Sequence, residues 1–124
     1  MTKTPPGVFA YLDNRMGEIL CVHHGYGQEK WSLPGGKKEN GECIYEAVRR
    51  EVQEETGLHL FETELIGVFQ LLKTDGHVVL IRVNFFEGTL ATTPNKEIVE
   101  RRWFTPEEVN AQEWMFYPAQ FKLI

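Results

Sequence analysis

Three glutamates, Glu51, Glu54 and Glu55, stand at spacing i, i+3, i+4 in a chain of 124 residues. On a helix such side chains are neighbours. Three crowded carboxylates repel one another, and partial burial raises the cost. Protonation relieves the repulsion, and so does a divalent cation set among them. Carboxylate oxygens are hard ligands, suited to magnesium or manganese. The plainer alternative is a solvated acidic face on which Arg50 neutralises Glu54 at i+4. The side of the helix on which the acids fall separates the two.

The helix that positions them is the clearest element in the sequence. Over residues 43–56, Ile44, Ala47, Val48 and Val52 recur at helical spacing, all within about 80° of Ile44 at about 100° per residue. Glu51 and Glu55 fall within about 20° of Ile44 on the same projection, and Glu54 flanks them. A helix that only packs on a sheet has leucine or alanine there. The three acids also lie near the helix C-terminus, where the dipole disfavours anions and favours a cation. Gly57 is placed to stop the helix in the left-handed conformation. At the start, Asn40 and Gly41 break the loop, and Cys43 is a poorer cap than serine or threonine.

Around this helix the chain reads mainly as strands. Residues 8–12 and 18–23 are strands joined by a turn at residues 13–17. Residues 25–30 form a polar loop, and residues 31–33 a short extended piece stopped by Pro34, Gly35 and Gly36. Residues 64–72 and 78–86 read as a hairpin, with Thr74, Asp75 and Gly76 at its turn. Residues 99–104 are a further strand. Thr105, Pro106, Glu107 and Glu108 then start a second helix, with a threonine cap, proline in the first turn and acids near the N-terminus. Residues 118–124 suggest a short terminal helix. Strands mixed with two helices imply an α/β sandwich with a mixed sheet.

The run from Gly36 to Leu58 resembles the Nudix box: a glycine, five residues, Glu42, seven residues, then Arg50, Glu51, Val52, one residue, Glu54, Glu55, one residue, Gly57 and Leu58. Each fixed position is filled, which chance does not supply, unlike a lone glycine motif. Residues 31–35 resemble the family's lead-in, and residues 100–108 its late strand and helix. The resemblance implies one Nudix (MutT-like) hydrolase domain over residues 1–124, an α/β/α sandwich with a mixed β-sheet. It implies Mg2+, or Mn2+, held by Glu51, Glu54 and Glu55, with the carbonyl of Gly35 a further ligand. A later carboxylate joins them, Glu97 before Glu100. Arg50 orients the glutamates by ion pairing, and Glu42 holds a water or metal at the loop edge. Glu51 is the favoured base, with Glu54 and Arg50 the other catalytic candidates. Gly36, Lys37, Trp31 and Glu42 are the residues expected at the substrate; for Lys37 and Lys38 the alternative to a phosphate contact, and the favoured one, is a solvent-exposed loop lysine.

The reaction implied is hydrolysis of a pyrophosphate linkage in a nucleotide, a nucleoside triphosphate ahead of ADP-ribose or another nucleotide sugar. A silent domain that binds a nucleotide or a partner is the alternative. Trp31 and Tyr26 flank the glycine loop and suit stacking on a base; Phe69 and Phe85 are expected in the core, and Trp114, Phe116 and Tyr117 over the sheet end. His23, His24, His59 and His77 show no metal or triad spacing.

Composition sets the outer limits. Hydrophobic residues make up 42% of the chain, enough for one globular core. A net charge of -5 argues against duplex nucleic acid, which selects basic surfaces. An acidic chain that binds phosphate needs a metal or local cations. Cys21 and Cys43 lack metal-site spacing and read as reduced thiols of a cytoplasmic protein. No apolar run has the length of a membrane span, and residues 1–6 show no leader pattern. A monomer or homodimer is expected.

Overall fold

The structure, a computed structural model, describes residues 7–25, 31–70, 77–95 and 97–111. Tyr26, most of the loop at 25–30, the turn at 74–76, the aromatics Trp114, Phe116 and Tyr117, and the terminal helix lie outside the described residues. The elements are β1 (Gly7–Leu12), β2 (Ile19–His24), β3 (Trp31–Ser32), β4 (Gly35–Lys37), α1 (Ile44–Thr56), β5 (His59–Gln70), β6 (His77–Glu87), β7 (Ile98–Phe104) and α2 (Pro106–Ala111).

Among the described residues the strands form two sheets, β4-β1-β6-β5 and β3-β2-β7. β1 runs parallel to β6 and antiparallel to β4, so the larger sheet is mixed. Strand alternation sends side chains to opposite faces and builds two cores. Val8, Ala10 and Leu12 of β1 join Val79, Ile81 and Val83 of β6 beneath Ala47, Val48 and Val52 of α1. Phe9 of β1 and Val78 and Leu80 of β6 join Ile19, Cys21, Phe104 and, from α2, Val109. Helix, sheet and helix therefore form the expected layers. Among the described residues no helix is long and apolar enough to cross a membrane.

Both helix ends follow from local chemistry. Gly57 is left-handed (φ 80°) and its N–H donates to Gln53 O. Cys43 is the N-cap of α1, and the Glu46 carboxylate accepts its N–H at 3.0 Å, so a reciprocal acid supports a weak cap. At α2, Thr105 and Glu108 exchange both bonds of a capping box, the Thr105 N–H to Glu108 at 3.0 Å and the Glu108 N–H to Thr105 Oγ1 at 3.2 Å.

Three expectations need correction. Gly35 and Gly36 do not only stop the preceding segment; they continue into β4, paired with Phe9 and Val8. Glycine has no strand propensity, but here it allows close backbone approach: a Cβ on Gly35 would meet Val8 O at 2.1 Å. β5 begins at His59 rather than at residue 64. Phe85 is 47% exposed and tilts against Phe61 instead of entering the core. The pairing explains this: Thr63 faces Val83 while Glu62 faces Phe85. Asn84 is passed over, the alternation slips by one residue, and Phe86 packs on the α1-side core in place of Phe85.

Candidate active site

Glu55 is one of the two acids that the helical projection puts on the apolar side, and its exposure is 3%. Its Oε1 accepts the Gly35 N–H at 2.9 Å, so the β4 backbone rests on the helix through a carboxylate. Burial holds its carboxyl well above the usual range; the Gly35 bond opposes this, while Glu51, Glu97 and Glu54 add to it. An ionised carboxylate in such a place needs compensating charge.

Glu51 lies one turn back and is half-buried. Desolvation raises its pKa, Arg50 opposes the rise, and Glu54 and Glu97 add to it. Gly36 lies directly against it: a Cβ there would fall 2.6 Å from the Glu51 carboxylate carbon. The two glycines before the helix thus have separate duties. Gly35 lets the backbone lie on β1, and Gly36 leaves room for Glu51.

Arg50 ties loop to helix. Its Nε and Nη2 form a fork on Glu42 at 2.7 and 3.0 Å, a geometry only guanidinium supplies. Nη2 also donates to Lys37 O at 3.2 Å. Nη1 reaches Glu51 at 3.1 Å and Glu54 at 3.4 Å. Glu42 accepts the Glu39 N–H as well, and the Arg50 fork holds its carboxyl down to about 2. Glu54 is the outermost of the three acids, its side chain 57% exposed. Lys37 is exposed, and Lys38 turns back to the loop, donating to Glu42 O at 2.9 Å.

Of the two late carboxylates, Glu97 enters the field of Glu51 and Glu55. Glu100 instead pairs with Arg102 at 2.6 Å on the surface. Trp31 lies in the core of the second face, edge-on to Phe104 with centroids 4.7 Å apart and with Arg102 over its ring, so the described surroundings give it packing partners. His24 Nε2 lies 2.9 Å from Ser32 Oγ, which also lies 3.0 Å from Leu33 O.

Sequence reasoning missed Asn95 and Arg101. Asn95 precedes Glu97 and accepts the Glu97 and Ile98 N–H groups at 2.9 and 2.7 Å. Arg101 donates to Glu55 O at 2.6 Å and to Thr93 O at 2.7 Å. The Asn-x-Glu spacing hinted at the first. Nothing local signals the second, whose partner Glu55 stands forty-six residues away.

Among the described residues, no group of three or more His, Cys, Asp or Glu side chains is gathered tightly enough to enclose a metal ion. Arg50 holds Glu51 and Glu54, and Gly35 holds Glu55. The fit to a hard divalent cation rests on chemistry: two carboxylates that burial makes costly as anions, with Glu54 and Glu97 in the same field. Oxygen donors of this kind select magnesium or manganese.

A family model described as NUDIX domain matches residues 3–124. The chain is 36% identical to a MutT-like protein of Streptomyces ambofaciens over 105 residues, 84% of this chain and 64% of that protein. It is 53% identical to the human 8-oxo-dGDP phosphatase NUDT18 over 63 residues, 49% of this chain and 20% of that protein. Among solved structures, the MutT protein of Methanosarcina mazei Go1 superposes with a TM-score of 0.75 at 27% identity, covering 98% of this chain and 91% of that one. The chain spans well under half the length of several curated relatives it matches.

Proposed function

The chain belongs to the NUDIX domain family, and from that premise we propose that it hydrolyses the pyrophosphate linkage of a nucleoside tri- or diphosphate with a divalent metal, Mg2+ or Mn2+. The observation that carries this is the buried Glu55 carboxylate, seated on the Gly35 amide with Glu51, Glu54 and Glu97 in its field. A structural helix gains nothing from such crowding, and an enzyme that must offer anionic oxygens to a cation does. Glu51, Glu54, Glu55 and Glu97 are the side chains that would hold it, together with the Gly35 carbonyl. The ion would neutralise phosphate charge and lower the pKa of a bound water.

The chain's own residues do the remaining work. Arg50 keeps Glu51 and Glu54 turned to one side and, through Glu42, pins the loop of residues 37–42 to α1. In this reading Glu42 is a support for Arg50, and Trp31 a support for the sheet. Glu51 is the base: half-buried and pushed above the usual carboxylate range, it is suited to take a proton. Water oxygen bonds to one phosphorus, the bridging P–O bond of the linkage breaks, and the water's proton passes to Glu51. Gly36 leaves backbone open beside that carboxylate, and Lys37 offers a cation to phosphate. The human relative's name supports a purine nucleoside phosphate as the class.

The test is a panel of nucleoside tri- and diphosphates, including 8-oxo-dGDP, with ADP-ribose and a dinucleoside polyphosphate, incubated with Mg2+ and resolved by product chromatography. Cleavage of a nucleoside tri- or diphosphate supports the reading. Turnover of ADP-ribose alone moves the substrate class, and turnover of none with nucleotide binding retained points to a silent domain.

A further inference from the structure

The three acids of α1 sit at the helix end whose dipole repels them, and its last turn carries no basic residue. The compensating cation comes from β7. Arg101 donates through Nε to Glu55 O, one of the carbonyls that a helix C-terminus leaves without an intrahelical partner, and through Nη1 to Thr93 O. It is partly buried, and the Glu55 charge favours its protonated form against the cost of that burial. Asn95 makes a second tie, donating through Nδ2 to Glu54 O at 3.3 Å while its Oδ1 holds the Glu97 and Ile98 amides. A third tie is backbone: the Ala91 N–H donates to Thr56 O at 2.8 Å.

All three end on consecutive carbonyls of α1, at Glu54, Glu55 and Thr56, and they hold the loop between β6 and β7 at Ala91, Thr93 and Asn95. We infer that Arg101 and Asn95 are positioning residues: together they clip this loop onto the end of α1 and so hold Glu97 at the helix end that carries Glu51 and Glu55. The inference rests on the metal reading above and deepens it. Glu97 belongs to an exposed segment. Without the clip its position against a helix over forty residues away in sequence is left to the β7 pairing and to two backbone bonds, from the Gly25 N–H to Glu97 O at 3.0 Å and from the Asn95 N–H to Ile98 O at 2.9 Å, none of which reaches α1. The helix backbone that carries the acids and the loop that carries Glu97 are thereby registered by the same few bonds, and neither positioning residue needs to touch substrate.

Calorimetric titration with Mn2+ alone tests this in wild type, Arg101→Gln, Asn95→Ala, Glu97→Gln and the doubles of the first two with Glu97→Gln. Removing a group that orients a metal ligand weakens binding about tenfold or more, and each of the first two variants is expected to do so. In the Glu97→Gln background the same changes should cost less than about twofold, since residues acting through one partner are not additive. A full tenfold loss in both backgrounds overturns the inference. Asn95→Ala is surface-exposed and serves if Arg101→Gln does not fold. Hydrogen exchange at the Ala91 amide reads the clip independently of metal. Faster exchange in either variant is expected, and unchanged exchange contradicts the clip. If wild type binds no Mn2+, the metal reading has failed, and the exchange result alone decides the clip.

Discussion

The backbone N–H of Gly35 and the side-chain carboxylate of Glu55 meet at 2.9 Å across twenty residues of sequence. A buried acid is thus held by a main-chain donor of the very strand that the glycine pair lets approach β1. Neighbouring Gly36 faces Glu51 in the same way, with no room for a methyl group between them.

Alanine at the two glycines should therefore separate stability from activity. In Gly35→Ala the new Cβ meets Val8 O and Phe9 Cα at 2.1 and 2.7 Å, backbone that cannot swing aside. A cost of about 1–3 kcal/mol or more is expected, as for other overpacked sites, read as a lower Tm. In Gly36→Ala the methyl meets the tip of the Glu51 side chain, which can move. The fold should survive while kcat/KM falls about a hundredfold, the scale of a 1 Å misplacement at a reacting centre.

Glu55→Gln keeps the shape and can still accept the Gly35 N–H. The sign follows from the raised folded pKa. The folded chain favours the protonated acid, so the contribution of Glu55 is best below its ordinary value of 4.5 and worsens as pH rises through the higher folded value. In chelator, the variant should melt above wild type at neutral and alkaline pH, and the two should converge in acid. Added Mg2+ should raise the Tm of wild type, by binding the folded state, far more than that of the variant. A variant that melts below wild type at every pH contradicts the assignment.

The Arg50 fork titrates in the opposite sense. The Glu42 carboxyl is held down to about 2 from an ordinary 4.5. Its contribution is present above 4.5 and is lost as pH falls through about 2. The stability difference between wild type and Glu42→Gln should be largest at neutral pH and shrink across that window, as measured by urea unfolding at stepped pH. Arg50→Lys should reproduce the loss, because an ammonium cannot bridge Glu42, the Lys37 carbonyl and Glu51 together.

Much of this site was legible before the structure. The helical projection placed Glu51 and Glu55 on the apolar side of α1, and the structure finds Glu55 buried and Glu51 half-buried. Gly57 and Thr105 announced helix ends because capping is local chemistry. β4 was missed because its glycines earn their place by what lies opposite them, and a chain read one residue at a time does not show the opposite strand. Phe85 was misplaced because the slip at Asn84 is a property of the β5–β6 pairing. Arg101 was missed for the same reason: its partners are carbonyls on another element, and a carbonyl has no letter in the sequence.

The central claim is that the carboxylates of α1 exist to hold a divalent cation for hydrolysis. The most direct measurement is the rate of nucleotide cleavage in chelator and again after excess Mg2+, for wild type and for Glu54→Gln. Glu54 is the most exposed of the three acids, so the variant should fold as wild type does. The account predicts no turnover in chelator, full recovery of wild type with Mg2+, and a loss of most turnover in Glu54→Gln at saturating Mg2+. Hydrolysis that persists in chelator, or a Glu54→Gln rate equal to wild type, would contradict it.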